Sequence, residues 1–122
     1  MKNVLVVDDD KDIRDMLSVA LSAEGAVIQT TDSLLGAINI LEHNSEIEII
    51  LLDYNLPGMP MEEFLKQARV LASKTGIVLI SAVEKVAEKA AKIGLKHYLG
   101  KPFDLDDLRL VMGACLAEAV KN

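Results

Sequence analysis

The sequence predicts an α/β fold in which five β-strands alternate with five α-helices, a (βα)5 arrangement. Apolar runs of strand length recur along the chain, and three are nearly continuous Val, Ile and Leu, which is typical of strands buried on both faces. Between these runs, apolar residues recur at helical spacing, as at Ile13, Leu17 and Leu21. Strands and helices that alternate with short connections form right-handed crossovers, so we expect a parallel sheet with helices on both faces.

The predicted elements follow one another in a regular order. The strands are placed at residues 3–7, 26–30, 48–52, 76–80 and 96–99. The first helix ends at Gly25 and the fourth at Gly94, because glycine commonly terminates helices. Helices two to five are marked by apolar positions that begin at Leu34, Phe64, Val86 and Leu105. Asp104 is the predicted N-cap of the fifth helix.

We expect the strand order 2-1-3-4-5, which makes a doubly wound, flavodoxin-like parallel five-stranded sheet. This order places a topological switch point between strands one and three, where open α/β sheets bind ligands. The length of 122 residues suits one domain with a substantial core, and no repeat or linker interrupts the sequence. Residues 1–122 are therefore interpreted as a single domain.

Composition excludes several classes of function. The net charge of −6 argues against direct nucleic-acid binding, which normally needs a basic surface. The longest apolar runs are too short to span a membrane, and the first residues lack the pattern of a secretory signal. Cys115 is the single cysteine and cannot form an internal disulfide. A reducing cytoplasm is therefore the expected location.

Polar side chains follow the predicted strands at their carboxyl ends. Asp8–Asp10 follow the first strand, Asp53 the third, Ser81 the fourth and Lys101 the fifth. The carboxyl ends of parallel strands share one edge of the sheet. Clustered carboxylates favour a hard cation such as Mg²⁺, while Ser and Lys favour an anion. A phosphoryl group held beside a metal ion satisfies all of these side chains.

Four short motifs, each at a strand end, carry a family resemblance that covers essentially the whole chain in order. The motifs are Val6-Val7-Asp8-Asp9-Asp10, Asp53-Tyr54-Asn55-Leu56-Pro57-Gly58-Met59, Ser81-Ala82 and Tyr98-Leu99-Gly100-Lys101-Pro102-Phe103. Each motif is weakly specific by itself, but together they resemble the receiver domain of two-component response regulators.

The resemblance implies a metal-assisted phosphoacceptor site. Asp53 would be the phosphoacceptor and also a metal ligand, because a carboxylate can act as a nucleophile toward phosphorus. Asp8, Asp9 and the backbone carbonyl of Asn55 would complete the ligands of Mg²⁺, for which Mn²⁺ can substitute. The metal would reverse the repulsion between these carboxylates and the anionic phosphoryl group.

The resemblance also implies which residues respond to phosphorylation. Ser81 would hydrogen-bond the phosphoryl group, and Lys101 would pair with it as a compact charge. Tyr98 would be an aromatic switch that turns inward when Ser81 moves. In this family the peptide bond before Pro102 is usually cis.

The implied function is a signalling switch that accepts a phosphoryl group from a phosphohistidine on a histidine kinase or phosphotransfer protein. The domain would catalyse its own phosphorylation and slow autodephosphorylation, so it is not expected to be a turnover enzyme. Val83, two residues after Ser81, offers no hydrogen bond to an attacking water, so we expect Val83→Glu to change the phosphate lifetime. The effector is unknown and no effector domain is present in these residues. The sequence leaves open whether the receiver stands alone or belongs to a longer regulator.

Some features depart from the family or permit other functions. Met61 and Pro60 stand where the family usually has glycine and an acidic residue, so the third helix could start differently. A flavodoxin-like cofactor module needs aromatic residues, which make up only 3% of the sequence. A degenerate receiver used only for docking would not need the intact acidic, Ser and Lys set. Lysines at 85, 89 and 92 are expected to form a solvated helix face.

The fifth helix is the predicted partner surface. Its inward stripe consists of Leu105, Leu108, Met112, Cys115 and Ala119. Its outer face carries Leu110, Gly113, Ala114 and Ala117, where a solvated face would normally be charged. We expect this face to form a phosphorylation-enhanced homodimer or to contact an effector. The alternative is that alanine is simply a good helix former.

Overall fold

The computed structural model describes residues 2–82 and 84–121, with side chains through residue 118. It contains five strands and five helices, which alternate along the chain. The elements are β1 (Asn3–Val7), α1 (Lys11–Ser22), β2 (Val27–Thr31), α2 (Leu34–His43), β3 (Ile49–Asp53), α3 (Met61–Leu71), β4 (Gly76–Ala82), α4 (Val86–Lys92), β5 (His97–Lys101) and α5 (Leu105–Lys121).

All strand pairings are parallel and the strand order is β2-β1-β3-β4-β5, which confirms the predicted fold class. The register places Asp53 opposite Ile80 and Ser81 opposite Gly100. The strand ends therefore lie side by side. The central strand β3 is buried throughout, as its unbroken apolar sequence predicts.

The core lies in two layers, one on each face of the sheet. One layer packs β1 and β3 against α2, α3 and α4, and its largest fully buried side chain is Phe64. The other layer packs the opposite faces of the same strands against α1 and α5. Side chains alternate between the layers, so Val7 contributes to the first layer and Val6 to the second. The two layers hold the strand ends in a fixed position.

Local capping defines the helix starts next to the strand ends. The Asp104 carboxylate accepts a hydrogen bond from the Asp107 backbone N–H at 2.8 Å, which confirms the predicted cap of α5. Met61 is the first residue of α3, and no described residue other than glycine has a positive φ. The turn before α3 instead uses Gly58, whose φ is 109°. Met61 therefore starts the helix without needing the freedom of glycine.

Among the described residues, we find no helix with the length and apolar character needed to cross a membrane.

Candidate functional site

The polar residues at the strand ends line one cavity at the carboxyl edge of the sheet. This cavity is bordered by Asp9, Asp53, Asn55, Ser81 and Lys101. The residues come from the segment after β1, from β3 and the turn that follows it, and from β4 and β5, which are neighbours only because of the strand order. The topology thus brings together four motifs that are far apart in the sequence.

Three carboxylates form the acidic part of the site. Asp8, Asp9 and Asp53 each offer an oxygen, and these oxygens lie within 4.8 Å of one another. Asp8 and Asp53 are buried, and Asp9 is exposed to the cavity. A set of oxygen ligands without His or Cys suits Mg²⁺ or Mn²⁺ better than zinc. The donor set therefore fits the metal that the sequence predicts.

Local backbone contacts orient the first of these carboxylates. Asp8 accepts a hydrogen bond from the Asp10 backbone N–H at 2.9 Å through Oδ1. Asp10 in turn caps α1 by accepting from the Asp12 backbone N–H at 2.9 Å. Asp10 thus serves the helix start, which leaves Asp8 and Asp9 as the carboxylates directed to the site.

Lys101 connects the two buried carboxylates. Its Nζ lies 3.1 Å from Asp8 Oδ2 and 3.2 Å from Asp53 Oδ1. The peptide bond between Lys101 and Pro102 is cis, as the resemblance implied. One ammonium therefore serves two buried carboxylates, and negative charge remains in excess at this edge.

The electrostatics of the site reflect that excess. Burial raises the pKa of Asp53, and the neighbouring Asp8 carboxylate raises it further, against the opposing effect of Lys101. For Lys101 the largest single influence is burial, which acts to lower its pKa. The attraction of Asp53 and Asp8 outweighs this, so the pKa of Lys101 is raised. The lysine therefore stays charged, while the ionised form of Asp53 is less favourable than that of an exposed aspartate.

Ser81 lies at the cavity wall and has a partner that the sequence did not predict. Only 3% of Ser81 is exposed, and its Oγ accepts a hydrogen bond from Lys89 Nζ at 3.1 Å. The Lys89 ammonium also lies 4.8 Å from the centroid of the Tyr54 ring. The prediction of a solvated lysine face is therefore wrong for Lys89, although Lys85 and Lys92 are exposed.

The sequence did contain a signal for Lys89. The buried residues of α4 are Val86 and Ala90, and Ile93 follows as its C-cap. Lys89 lies three residues after Val86 and four before Ile93, which places it at the border of this buried stripe. The spacing could have separated Lys89 from its neighbours, but it could not show that the ammonium reaches Ser81.

Two further predicted positions are Tyr98 and Val83. Tyr98 lies on β5 opposite Leu79 and is 42% exposed, so its ring is directed away from the core. Its role as a switch stays a prediction. Val83 lies outside the described residues, so the expected effect of Val83→Glu on the phosphate lifetime stays a prediction.

The outer face of α5 is exposed as predicted. Leu110 is 74% exposed, and Gly113, Ala114 and Ala117 are also exposed. The inward stripe is confirmed for Leu108, Met112 and Cys115, which are buried, and for the half-buried Leu105. The side chain of Ala119 lies outside the described residues.

The fold and the site together define a doubly wound α/β protein with an acidic, lysine-bearing pocket at the topological switch point. A family model described as response regulator receiver domain matches residues 4–112. The chain therefore belongs to the receiver domain family of two-component response regulators. Members of this family generally bind Mg²⁺ at this acidic pocket, take phosphate from histidine kinases and act on effector domains.

Similar proteins include a regulatory protein, a chemotaxis protein and an activated receiver domain dimer. The chain is 30% identical to the regulatory protein AtoC of Escherichia coli (strain K12) over 118 residues, which cover 95% of this chain and 25% of that protein. The chemotaxis protein CheY4 of Vibrio cholerae superposes with a TM-score of 0.81 at 28% identity, covering 95% of this chain and 99% of the other. The beryllofluoride-activated NtrC4 receiver domain dimer superposes with a TM-score of 0.82 at 28% identity, covering 98% and 99%. The chain thus spans a quarter of AtoC.

Proposed function

We propose that Asp53 accepts a phosphoryl group from the phosphohistidine of a histidine kinase or phosphotransfer protein. The observation that carries this proposal is the position of Asp53, which is buried at the end of the central strand. There it lies within 4.8 Å of the Asp8 and Asp9 carboxylates and 3.2 Å from the Lys101 ammonium. Asp8 shares these neighbours, but its Oδ1 already accepts a hydrogen bond from the Asp10 backbone N–H and it does not line the cavity, whereas Asp53 does.

The transfer is a displacement at phosphorus. An oxygen of the Asp53 carboxylate attacks the phosphorus atom, and a P–O bond forms as the P–N bond to the donor imidazole breaks. The electron pair of the broken bond returns to the imidazole nitrogen, so the products are an aspartyl phosphate and a free histidine. Hydrolysis of the aspartyl phosphate by water would later return the carboxylate and release inorganic phosphate. The domain would therefore act as a switch with slow self-dephosphorylation.

The acidic residues would hold the divalent cation that this reaction needs. Asp8, Asp9, Asp53 and the backbone carbonyl of Asn55 would provide its oxygen ligands. Bound Mg²⁺, or Mn²⁺ in its place, supplies positive charge that offsets the repulsion between carboxylates and phosphoryl oxygens. Lys101 already bridges Asp8 and Asp53, so it is placed to pair with a phosphoryl oxygen on Asp53.

The response would pass from Ser81 to the exposed surface. Ser81 would donate a hydrogen bond to the phosphoryl group, and the exposed Tyr98 ring would turn inward as Ser81 moves. Phosphorylation would thereby shift a two-state equilibrium that includes β5 and α4. We place this signalling in the cytoplasm, in keeping with the family.

The test is stoichiometric phosphorylation by a small acyl phosphate with Mg²⁺, measured by intact-protein mass spectrometry. Wild-type protein should gain one phosphate, and Asp53→Asn should gain none. Asp104→Asn is the matched control, because Asp104 is exposed and Asn still caps α5. Phosphate that persists on Asp53→Asn would reassign the acceptor.

The outer face of α5 is the proposed contact for a second copy or an effector. Leu110 is exposed next to small residues, and the similar NtrC4 receiver is described as a dimer when activated by beryllofluoride. Leu110→Glu should reduce dimer mass or effector binding in the phosphorylated protein, measured by light scattering and a pull-down. Val70→Glu on α3 is the matched control, since Val70 is 82% exposed on a different helix. If both variants behave like wild type, the small residues of this face reflect only the helix propensity of alanine.

A further inference from the structure

Lys89 is a second lysine at the site, and the function proposed above gives it no role. Its ammonium donates to Ser81 Oγ at 3.1 Å and borders the same cavity as Asp53 and Lys101. We propose that Lys89 is a positioning residue that fixes the Ser81 hydroxyl, so that the hydroxyl proton is directed to a phosphoryl oxygen on Asp53. This inference rests on the proposed phosphorylation of Asp53.

The chemistry of the two groups fixes the direction of the hydrogen bond. A lysine ammonium can only donate, so the Ser81 oxygen must accept and its own proton remains available for another acceptor. A hydrogen bond from a charged donor also polarises the hydroxyl and makes it a stronger donor. Because Ser81 is almost fully buried, its proton has little access to water. A phosphoryl oxygen on Asp53 is an acceptor at the same cavity wall.

Neutral partners hold Lys89 beside the acidic site. Its ammonium contacts the Tyr54 ring and the Ser81 hydroxyl. Within the described ranges, no carboxylate oxygen lies within 4.0 Å of Lys89 Nζ, whereas Lys101 is paired with two carboxylates. The long side chain of a lysine normally extends its ammonium into water. Its retention here keeps the ammonium on Ser81, whose hydroxyl would then face an aspartyl phosphate that carries about two negative charges.

The position of Lys89 also connects two elements of the fold. Lys89 belongs to α4, and Ser81 belongs to β4. A shift of the Ser81 hydroxyl toward the phosphoryl group would therefore change the hydrogen bond that ties α4 to the sheet. Lys89 would thus pass the conformational effect of phosphorylation to α4, in addition to orienting Ser81.

The test measures the affinity of each variant for beryllofluoride, the phosphoryl mimic that activates the similar NtrC4 receiver, in the presence of Mg²⁺. Binding is followed by NMR chemical shifts. Lys89→Ala should weaken beryllofluoride binding about 10-fold, the scale of one charged hydrogen bond, and Lys89→Arg should recover part of it. Lys92→Ala is the control, because Lys92 is an exposed lysine of the same helix. It should bind like wild type.

Two further measurements separate positioning from a general loss of structure. Lys89→Ala should not weaken binding of Mg²⁺ alone, because removal of a cation cannot disfavour another cation electrostatically, whereas a loosened site would weaken both. In a Ser81→Ala background, Lys89→Ala should have no further effect on beryllofluoride affinity, since Lys89 acts through Ser81. A full loss in that background, or wild-type affinity in Lys89→Ala, would overturn the role of Lys89. If wild-type protein accepts neither phosphate nor beryllofluoride, both the proposed function and the role of Lys89 fail. If wild-type protein is phosphorylated and Lys89→Ala binds beryllofluoride equally well, only the role of Lys89 fails.

Discussion

The two edges of the same sheet have opposite balances of charged groups. At the amino edge, where β5 begins, Glu118 of α5 lies 3.2 Å from Lys96 Nζ and 2.9 Å from His97 Nε2. At the carboxyl edge, Asp8 and Asp53 are buried and share the single Lys101 ammonium. One edge offers two nitrogen groups to one carboxylate, and the other offers one ammonium to two buried carboxylates.

The pKa values of Glu118 and Asp53 shift in opposite directions. Hydrogen bonds from Lys96 and His97 lower the pKa of Glu118. Burial raises the pKa of Asp53, and the charge of Asp8 adds to this effect. Ion pairs at an exposed surface contribute little to stability, whereas buried like charges cost stability and are typical of functional sites. The carboxyl edge therefore has the charge arrangement that is typical of functional sites, and the amino edge has an exposed surface ion pair.

The largest effect should come from removal of the cation at the carboxyl edge. Lys101→Ala leaves two buried carboxylates without their ammonium, so we expect the free energy of unfolding to fall by about 2 kcal/mol. Urea unfolding at neutral pH without divalent metal measures this loss. Lys96→Ala at the amino edge is the matched control and should change little, because its partner Glu118 is 40% exposed. Equal losses in the two variants would remove the distinction between the edges.

A smaller effect of opposite sign should follow removal of charge at the acceptor. Asp53→Asn should stabilise the metal-free protein by about 1 kcal/mol, a usual size for a single-site change, because it removes a buried charge and its repulsion with Asp8. Since the folded pKa is raised, the cost of ionised Asp53 is absent below its ordinary value of 3.8 and develops as pH rises through the folded pKa. The gain from Asp53→Asn should therefore be present at neutral pH and disappear in acid.

Divalent metal sharpens the same test. Millimolar Mg²⁺ should raise the thermal midpoint of wild-type protein by a few degrees, which corresponds to about 1 kcal/mol of stabilisation by binding. The rise should be much smaller in Asp53→Asn, because one of the three carboxylate ligands has lost its charge. Differential scanning calorimetry with and without Mg²⁺ gives both values. An Asp53→Asn variant that is destabilised without metal, or that responds to Mg²⁺ like wild type, would contradict the proposed repulsion.

The contrast between edges was only partly predictable from the sequence. The apolar runs predicted the sheet, and the polar residues that end them predicted the carboxyl cluster, because parallel topology alone brings strand ends together. The sequence placed the last strand at residues 96–99, whereas β5 is His97–Lys101. Gly100 and Lys101 are poor strand formers, but pairing with Ser81 and Ala82 of β4 extends the strand through them.

Contacts that depend on how far a side chain reaches were beyond sequence reasoning. Lys101 was predicted to pair with the phosphoryl group, but its bridge between Asp8 and Asp53 depends on the depth at which β5 delivers it. Lys89 was grouped with two solvated lysines, because helical spacing gives the direction of a side chain and does not give its reach. The outer face of α5 was predictable as a pattern, since exposure of a helix face follows from its buried stripe.

The smallest effect should come from Glu118→Gln at the amino edge. Glu118 is a surface carboxylate whose partners also contact water, so the substitution should shift the urea midpoint much less than Lys101→Ala. The sign of its pH dependence should be opposite to that of Asp53. Because the folded pKa of Glu118 is lowered, its stabilising contribution is present above its ordinary value of 4.5 and is lost as pH falls through the folded pKa. Unfolding curves of wild type and Glu118→Gln should therefore converge in acid and separate slightly near neutral pH, with wild type the more stable. A variant as destabilised as Lys101→Ala would show that the amino edge depends on Glu118 for structure, and the two edges would then differ in chemistry but not in their importance for the fold.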